Sequence, residues 1–436
     1  MLNDQLLAAG QIREGWMLDC PAPESGSLAK GIYYSGAGLS DDTQAEADEC
    51  SRMHLLKDVT AKEFDAYVTD LQAAGYTLAM ENTIGKNKYA NLTKDGIGYY
   101  IGFTYNTNEM RVSEDRAGVS VAEFAYDIKG EGQTQIYQFV LPEDNLGMCY
   151  IIRLSDNRLV LVDGSHFKAA FQAAVDDLMN FLHKITNTKA GEKVKIAAWW
   201  LTHAHDDHVT LAGKLLEYYR KEIELERVMY NFPSYQVKSN GYDMVPVYTK
   251  AVIRRYHPNV KFLKLHTGQT FALSDVKVEV LYTHEDVVVY SHYEAAAVLG
   301  TKVPLEITDF NSTSSVVRFT IDGKTFLLLG DISHDAENTM VRHQEPSVWK
   351  SDMVQAAHHC YNYLNTLYPL IAAPIVLMPN SVKACHRSEN LPRLASILRH
   401  VKNDQIYYET EGTYGFAVVD GEFQKIYEEP THWEIW

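Results

Sequence analysis

Within Leu201-Thr-His-Ala-His-Asp-Asp-His208 the chain gathers three imidazoles and two carboxylates, directly after an apolar run that ends at Trp200. Neutral imidazole nitrogen and carboxylate oxygen are the ligands of zinc, and of manganese or iron where oxygen predominates. His203 and His205 stand two residues apart, so on an extended or tightly turning backbone both rings reach one side and share a cation. Asp207 and His208 then turn toward a second position. A polar loop with incidental histidines is the ordinary alternative, but so many ligand types at fixed spacing point to a metal.

Three other segments carry an apolar run into residues of the same kind. Arg158-Leu-Val-Leu-Val-Asp-Gly164 reads as a short buried strand ending in Asp163. Lys324-Thr-Phe-Leu-Leu-Leu-Gly-Asp331 delivers an aspartate, and Met353-Val-Gln-Ala-Ala-His-His359 delivers two histidines. Strand alternation does not choose between His358 and His359, because one residue of register exchanges their faces. Each segment alone reads as a turn or a hydrogen-bonded loop. Their order, each at a strand end, is what makes them a set.

In that order the motifs resemble those of the metallo-β-lactamase superfamily, over about residues 133–436. The resemblance implies an α+β protein whose later part is an αββα sandwich, two sheets between helices. It also implies that Asp163 supports the metal loop without ligating, that Asp331 bridges two metals, and that His358 or His359 is the last ligand. There is a departure: where the family's hydrolases usually carry a third histidine for the first metal, this chain reads Ile307-Thr-Asp-Phe-Asn-Ser-Thr-Ser-Ser-Val-Val-Arg318. Asn311-Ser312 or Asp309 takes its place, a pattern similar to the branch containing the nuclease domain of competence proteins and related phosphodiesterases. That branch continues His-His-Gly, whereas here Cys360-Tyr361-Asn362 follow. The expected centre therefore has one tight metal, at Asp207, His208, Asp331 and a histidine of the late pair, and a looser one at His203 and His205. One or two zinc ions, or manganese or iron, fit such a set. His284 is the first candidate for the absent imidazole, ahead of His292, His257 and His266.

A cation so placed lowers the pKa of a water from 15.7 toward about 7 and supplies hydroxide to attack a carbonyl or phosphorus centre. Asp207 and Asp331 are the candidate catalytic carboxylates. Asn311 and Tyr361, or Asn362, are candidates for contacting substrate or developing negative charge.

Length and charge bound the remainder. The chain has 436 residues, 46% of them hydrophobic, enough for two domains. A formal net charge of −17 argues against a broad surface for duplex DNA and favours a small molecule or a single scissile phosphodiester as substrate. Five cysteines, Cys20, Cys50, Cys149, Cys360 and Cys385, form no close pair in sequence, which suits a reducing compartment. With no basic start, export segment or bilayer-length apolar run, the expectation is a cytoplasmic protein without a membrane partner.

Residues 1–132 read differently. Thr60-Ala-Lys-Glu63 is a capping box, and Phe64, Tyr67, Val68 and Leu71 share one helical face before Gly75. Tyr76 to Met80, Lys88 to Leu92, Gly98 to Tyr105 and Met110 to Val112 read as strands, with turns at Lys94-Asp-Gly96 and Asn106-Thr-Asn108. This is a small α+β domain without a metal or nucleophile cluster, suited to a cover, a substrate-selecting surface or a homodimer contact. Its aromatics Tyr89, Tyr99, Tyr100, Phe103 and Tyr105 line either a binding surface or, more ordinarily, a buried sheet face. Ser113-Glu-Asp115 through Gly130-Glu-Gly132 reads as the linker, and 133–436 as the hydrolase-like domain.

Three functions fit this reading. They are hydrolysis of a phosphodiester or phosphate ester, hydrolysis of a lactone, thioester or β-lactam at the same site, and a non-enzymatic scaffold or sensor with a degraded metal site.

Overall fold

In the computed structural model of the chain the described residues are 6–7, 15–29, 33–35, 51–115, 129–140, 147–165, 171–231, 244–286, 310–401 and 405–433. His292 and Asp309 lie outside them, as do residues 116–128, just before the expected boundary at 132/133.

The N-terminal sheet contains β1 (Leu6–Leu7), β2 (Ser27–Ala29), β3 (Tyr33–Ser35), β4 (Ser51–Lys57), β5 (Thr77–Ile84), β6 (Asn87–Lys94), β7 (Ile97–Thr104) and β8 (Glu109–Asp115). Their order is β1-β2-β4-β8-β7-β6-β5, with β3 on β4. The helix α1 (Ala61–Ala73) has the expected capping box: Thr60 Oγ1 accepts from the Glu63 amide while the Glu63 carboxylate accepts from that of Thr60. Its apolar face packs on β6–β8, burying Tyr99 and Phe103, while Tyr105 is exposed. Ser113–Asp115 is not linker: it ends β8, paired with β4 and β7 and buried.

The rest forms two facing sheets. The first contains β9 (Gln135–Gln138), β10 (Tyr150–Arg153), β11 (Leu159–Val162), β12 (Val194–Trp200), β13 (Ile223–Leu225), β14 (Arg227–Tyr230) and β15 (Lys261–Lys264). The second contains β16 (Thr270–Leu273), β17 (Val276–Tyr282), β18 (Val316–Ile321), β19 (Lys324–Leu328), β20 (Met353–Gln355), β21 (Ile375–Met378) and β22 (Ile406–Tyr408), in that spatial order. The chain then returns to the first sheet as β23 (Gly412–Val419) and β24 (Glu422–Pro430), with β23 beside β9. One buried cluster, including Tyr150, Trp200, Phe319 and Phe326, fills the space between the sheets. The outer face of the first sheet is covered by α2 (Phe171–Thr186), α3 (Asp206–Tyr218) and α4 (Met244–Tyr256). That of the second is covered by α5 (His334–His343) and short helices between Pro346 and Ile397. This is the expected αββα sandwich. Among the described residues no helix is long and apolar enough to cross a membrane.

Parallel β12, β14 and β15 end on one rim, and the loop after β17 joins them there because His284 Nε2 meets Asn231 Oδ1 at 3.0 Å. The N-terminal sheet rests on this rim. Arg111 pairs with Asp286 after β17, Asp115 meets His266 after β15, and Asn87 Nδ2 donates to the His343 carbonyl at the end of α5 (2.9 Å).

Candidate metal centre

β12 carries the histidine motif because its apolar run packs both ways: Trp199 faces the helices and Trp200 the space between the sheets. Their indoles also brace neighbouring loops, Trp199 donating to the Asp163 carbonyl (3.0 Å) and Trp200 to Ser315 Oγ (2.8 Å). His203 and His205 stand in the turn after β12, and α3 begins at Asp206, so Asp207 and His208 ride on its first turn.

Asp163 follows β11 and stands behind the cluster. Its carboxylate accepts from the Thr202 amide and hydroxyl, both at 2.8 Å, and meets His208 Nδ1 at 2.6 Å. A ring nitrogen so engaged leaves the other, Nε2, for a cation. Glycine is required beside it, because a Cβ on Gly164 would lie 2.7 Å from the Ala212 amide nitrogen of α3.

The Gly-Asp pair after β19 is held by three polar side chains from neighbouring segments. Gln355 Oε1 accepts from the Leu329 and Gly330 amides, both at 2.8 Å, and Ser314 Oγ accepts from the Asp331 amide at 3.0 Å. Asn362 Nδ2 donates to the carbonyls of Asp331 (3.2 Å) and Ile332 (2.5 Å), so it braces the backbone. A lone glutamine inside the apolar run Met353 to Ala357 is the signal for the first of these; the serine belongs to the Asn311 to Arg318 run that carries the likeness to the nuclease branch.

After β20 the backbone turns left-handed for three residues, His358, His359 and Cys360, with φ of 48°, 50° and 66°. His359 Nδ1 meets the Pro379 carbonyl at 3.0 Å, so its Nε2 points inward. His358 stands at the opening, 25% exposed, with Nε2 4.0 Å from Asp331 Oδ2, and the Tyr361 ring packs edge-on against it.

Asp207, His208, Asp331 and His359 each turn one ligand atom inward; the four atoms lie within 4.8 Å of one another and all four residues are buried. His208 Nε2 is 3.1 Å and His359 Nε2 3.2 Å from Asp331 Oδ2, yet neither contact has hydrogen-bond alignment. Both nitrogens and both Asp331 oxygens are thus buried without a hydrogen-bond partner. Each such atom costs about 1–3 kcal/mol, and a shared cation satisfies all four.

The electrostatics agree. Burial alone would lower the His208 pKa, but Asp331, Asp163 and Asp207 hold it well above the usual range; Asp331 and Asp207 likewise push His359 up to about 10. Burial opposes ionisation of Asp331, but His208, His359 and His358 hold it well below the usual carboxylate range. The pocket wants positive charge.

His203 and His205 behave differently. Burial and their imidazole neighbours keep the His203 pKa well below normal, and burial lowers that of His205. His203 Nε2 faces His205 Nδ1 at 3.0 Å and lies 3.9 Å from Asp331 Oδ2, so the two rings already share a hydrogen bond.

The absent imidazole would serve the position at His203 and His205, and each described candidate for it has another partner. His284 is engaged by Asn231, His257 meets the Leu216 carbonyl at 3.0 Å, and His266 lies between Asp115 and Glu285. Asn311 is half-buried in the turn Phe310–Thr313, whose neighbours Ser314 and Ser315 brace the Asp331 and Thr202 loops.

A profile of the metallo-beta-lactamase superfamily matches residues 143–367. Among solved structures, the metallo-beta-lactamase fold protein YhfI from Bacillus subtilis aligns at 12% identity and a TM-score of 0.37, over 63% of this chain and 96% of that one. A long form RNase Z from yeast aligns at 10% identity and 0.36, over 68% and 49%. CmlA, a diiron beta-hydroxylase from Streptomyces venezuelae, aligns at 12% identity and 0.29, over 65% and 45%. No curated protein sequence matches significantly.

Proposed function

The chain belongs to the metallo-beta-lactamase superfamily, and from that premise we propose that it is a metal-dependent hydrolase acting on a phosphodiester or phosphate ester, with Asp207, His208, Asp331 and His359 holding the tighter ion. The observation that carries the metal reading is the set of convergent, buried atoms without hydrogen-bond partners on His208, Asp331 and His359. A divalent cation held there supplies hydroxide at neutral pH and polarises the bond under attack.

The chain's own residues set the terms. Asp163 and the Pro379 carbonyl hold the His208 and His359 rings so that each presents Nε2. Ser314 and Asn362 hold the backbone of Asp331. His203 and His205 would hold a second ion only with their mutual hydrogen bond broken, which would make that position the looser one. With two carboxylates and two imidazoles the tighter position suits zinc, manganese or iron. His358, 25% exposed and 4.0 Å from Asp331, is proposed to face substrate rather than to hold the tighter ion.

The phosphodiester reading rests on the run from Asn311 to Arg318 with its following Gly-Asp and His-His, which resembles the competence-nuclease branch up to the residue after His359. Residues 1–132 are proposed as a domain that covers the rim, since Arg111 and Asp115 bind loops there. The test is turnover of bis(p-nitrophenyl) phosphate and of p-nitrophenyl acetate by protein reconstituted with zinc or manganese. Metal-dependent cleavage of the first alone supports the proposal. Cleavage of the ester alone supports the lactone or thioester reading, and cleavage of neither with no metal bound supports the scaffold.

A further inference from the structure

We propose that Tyr361 selects substrate at the metal centre, its ring packing on an aromatic group carried by the phosphate, so that aryl esters are taken ahead of alkyl esters of similar size; the inference rests on the proposed phosphodiester site. Where the nuclease branch continues with glycine after its two histidines, this chain reads Cys360-Tyr-Asn-Tyr363. Two large rings thus follow the last ligand within four residues.

The segment is held to the core by the residues between and after the tyrosines. Asn362 Nδ2 donates to the carbonyls of Asp331 and Ile332, and Leu364 is fully buried. The tyrosines are not drawn in: Tyr361 is half-buried and Tyr363 is 45% exposed. Tyr361 is nevertheless fixed in place. Its amide donates to the His358 carbonyl at 2.6 Å, and its ring stands 6.1 Å from the His358 ring at 81°. His358 in turn has its Nε2 4.0 Å from Asp331 Oδ2, so a single imidazole links the tyrosine to the metal-facing carboxylate. The left-handed backbone at His358 makes that link a defined one, since a side chain other than glycine keeps such a conformation only when its surroundings enforce it.

A tyrosine on a braced loop offers a large, flat surface at little conformational cost, because only two side-chain angles have to be fixed. Such a ring prefers another π-system, offset or edge-on, to a saturated group of the same size. The formal net charge of −17 works against a long polyanion, so the aromatic group belongs to a small ester.

The test uses full-length zinc-loaded protein titrated by calorimetry with benzylphosphonate and with cyclohexylmethylphosphonate. In both a methylene replaces the ester oxygen, so neither is turned over; they match in size and differ in the flat π-face. The expected result is about fivefold tighter binding of the benzyl compound by the wild type, a preference lost in Tyr361→Ala and kept in Tyr361→Phe, with the zinc content of both variants unchanged. Equal affinity for the two compounds in the wild type, or a preference that survives in Tyr361→Ala, overturns the proposal. Loss of the preference in Tyr361→Phe also overturns it, because the hydroxyl rather than the ring would then be the recognising group. Zinc-loaded wild type that binds neither phosphonate instead overturns the phosphodiester reading, a separate result because it concerns the shared phosphonate and not the ring.

Discussion

Two buried histidine clusters in this molecule look alike in composition and differ in geometry. At the metal centre, His208 and His359 meet Asp331 and Asp207; on the rim under the N-terminal sheet, His266 meets Asp115 at 3.0 Å and Glu285 at 2.9 Å. Around His266 the carboxylates sit on opposite nitrogens, each contact is a hydrogen bond, and Tyr100 stacks on the ring at 3.7 Å between centroids. A proton satisfies that arrangement. At the metal centre the ligand atoms converge on one point and hydrogen-bond to nothing there, so one proton cannot satisfy them and a cation can. Carboxylates around a buried imidazole are therefore no sign of metal in themselves. Convergence is.

The comparison breaks most severely if Asp331→Ala keeps its metal. That variant should lose stoichiometric metal and all metal-dependent turnover while its circular dichroism stays that of the wild type; full activity would remove Asp331 from the site. The next largest effect belongs to the other cluster. Burial would lower the His266 pKa, but Glu285 and Asp115 raise it from 6.5 to about 9. A raised folded pKa gives stability that is complete below pH 6.5 and is lost as pH rises through about 9, worth about 3 kcal/mol at most. His266→Gln should therefore be destabilised by about that amount at pH 6, lose the fall in stability toward pH 9, and bind metal as before. Denaturant melts across pH 6 to 10 check it, and an unchanged pH profile would mean that His266 is not charged.

Smaller effects sharpen the contrast within the metal centre. Asp163→Asn should weaken metal affinity by about 10–100-fold, because the carboxylate orients a ligand without touching the ion; equal affinity in a direct titration would deny that role. His205→Ala should keep the tighter ion and lose only the looser, read as metal per chain at rising zinc concentration. Loss of both ions would mean that the two positions are one.

Much of this was legible because it is local. The histidine motif, the aspartates at strand ends and the Thr60–Glu63 capping box each lie within one element, where spacing carries the signal. The choice between His358 and His359 was not, since alternation stops at Gln355 and three left-handed residues then set which ring turns inward. Ser113–Asp115 reads as solvated linker because its partners are distant: Glu114 pairs with Arg52, and Asp115 meets His266, 151 positions away. The ranking of His284 as a spare ligand failed for the same reason. Asn231, 53 positions earlier, already engages it, and no local pattern announces that contact.

The most direct test of the central claim is a zinc titration of metal-free protein by calorimetry, beside the Asp207→Ala/His359→Ala double variant. One tight ion per chain in the wild type, absent from a folded double variant, is the expected result. Equal zinc binding by both proteins, or none by the wild type, would contradict the account.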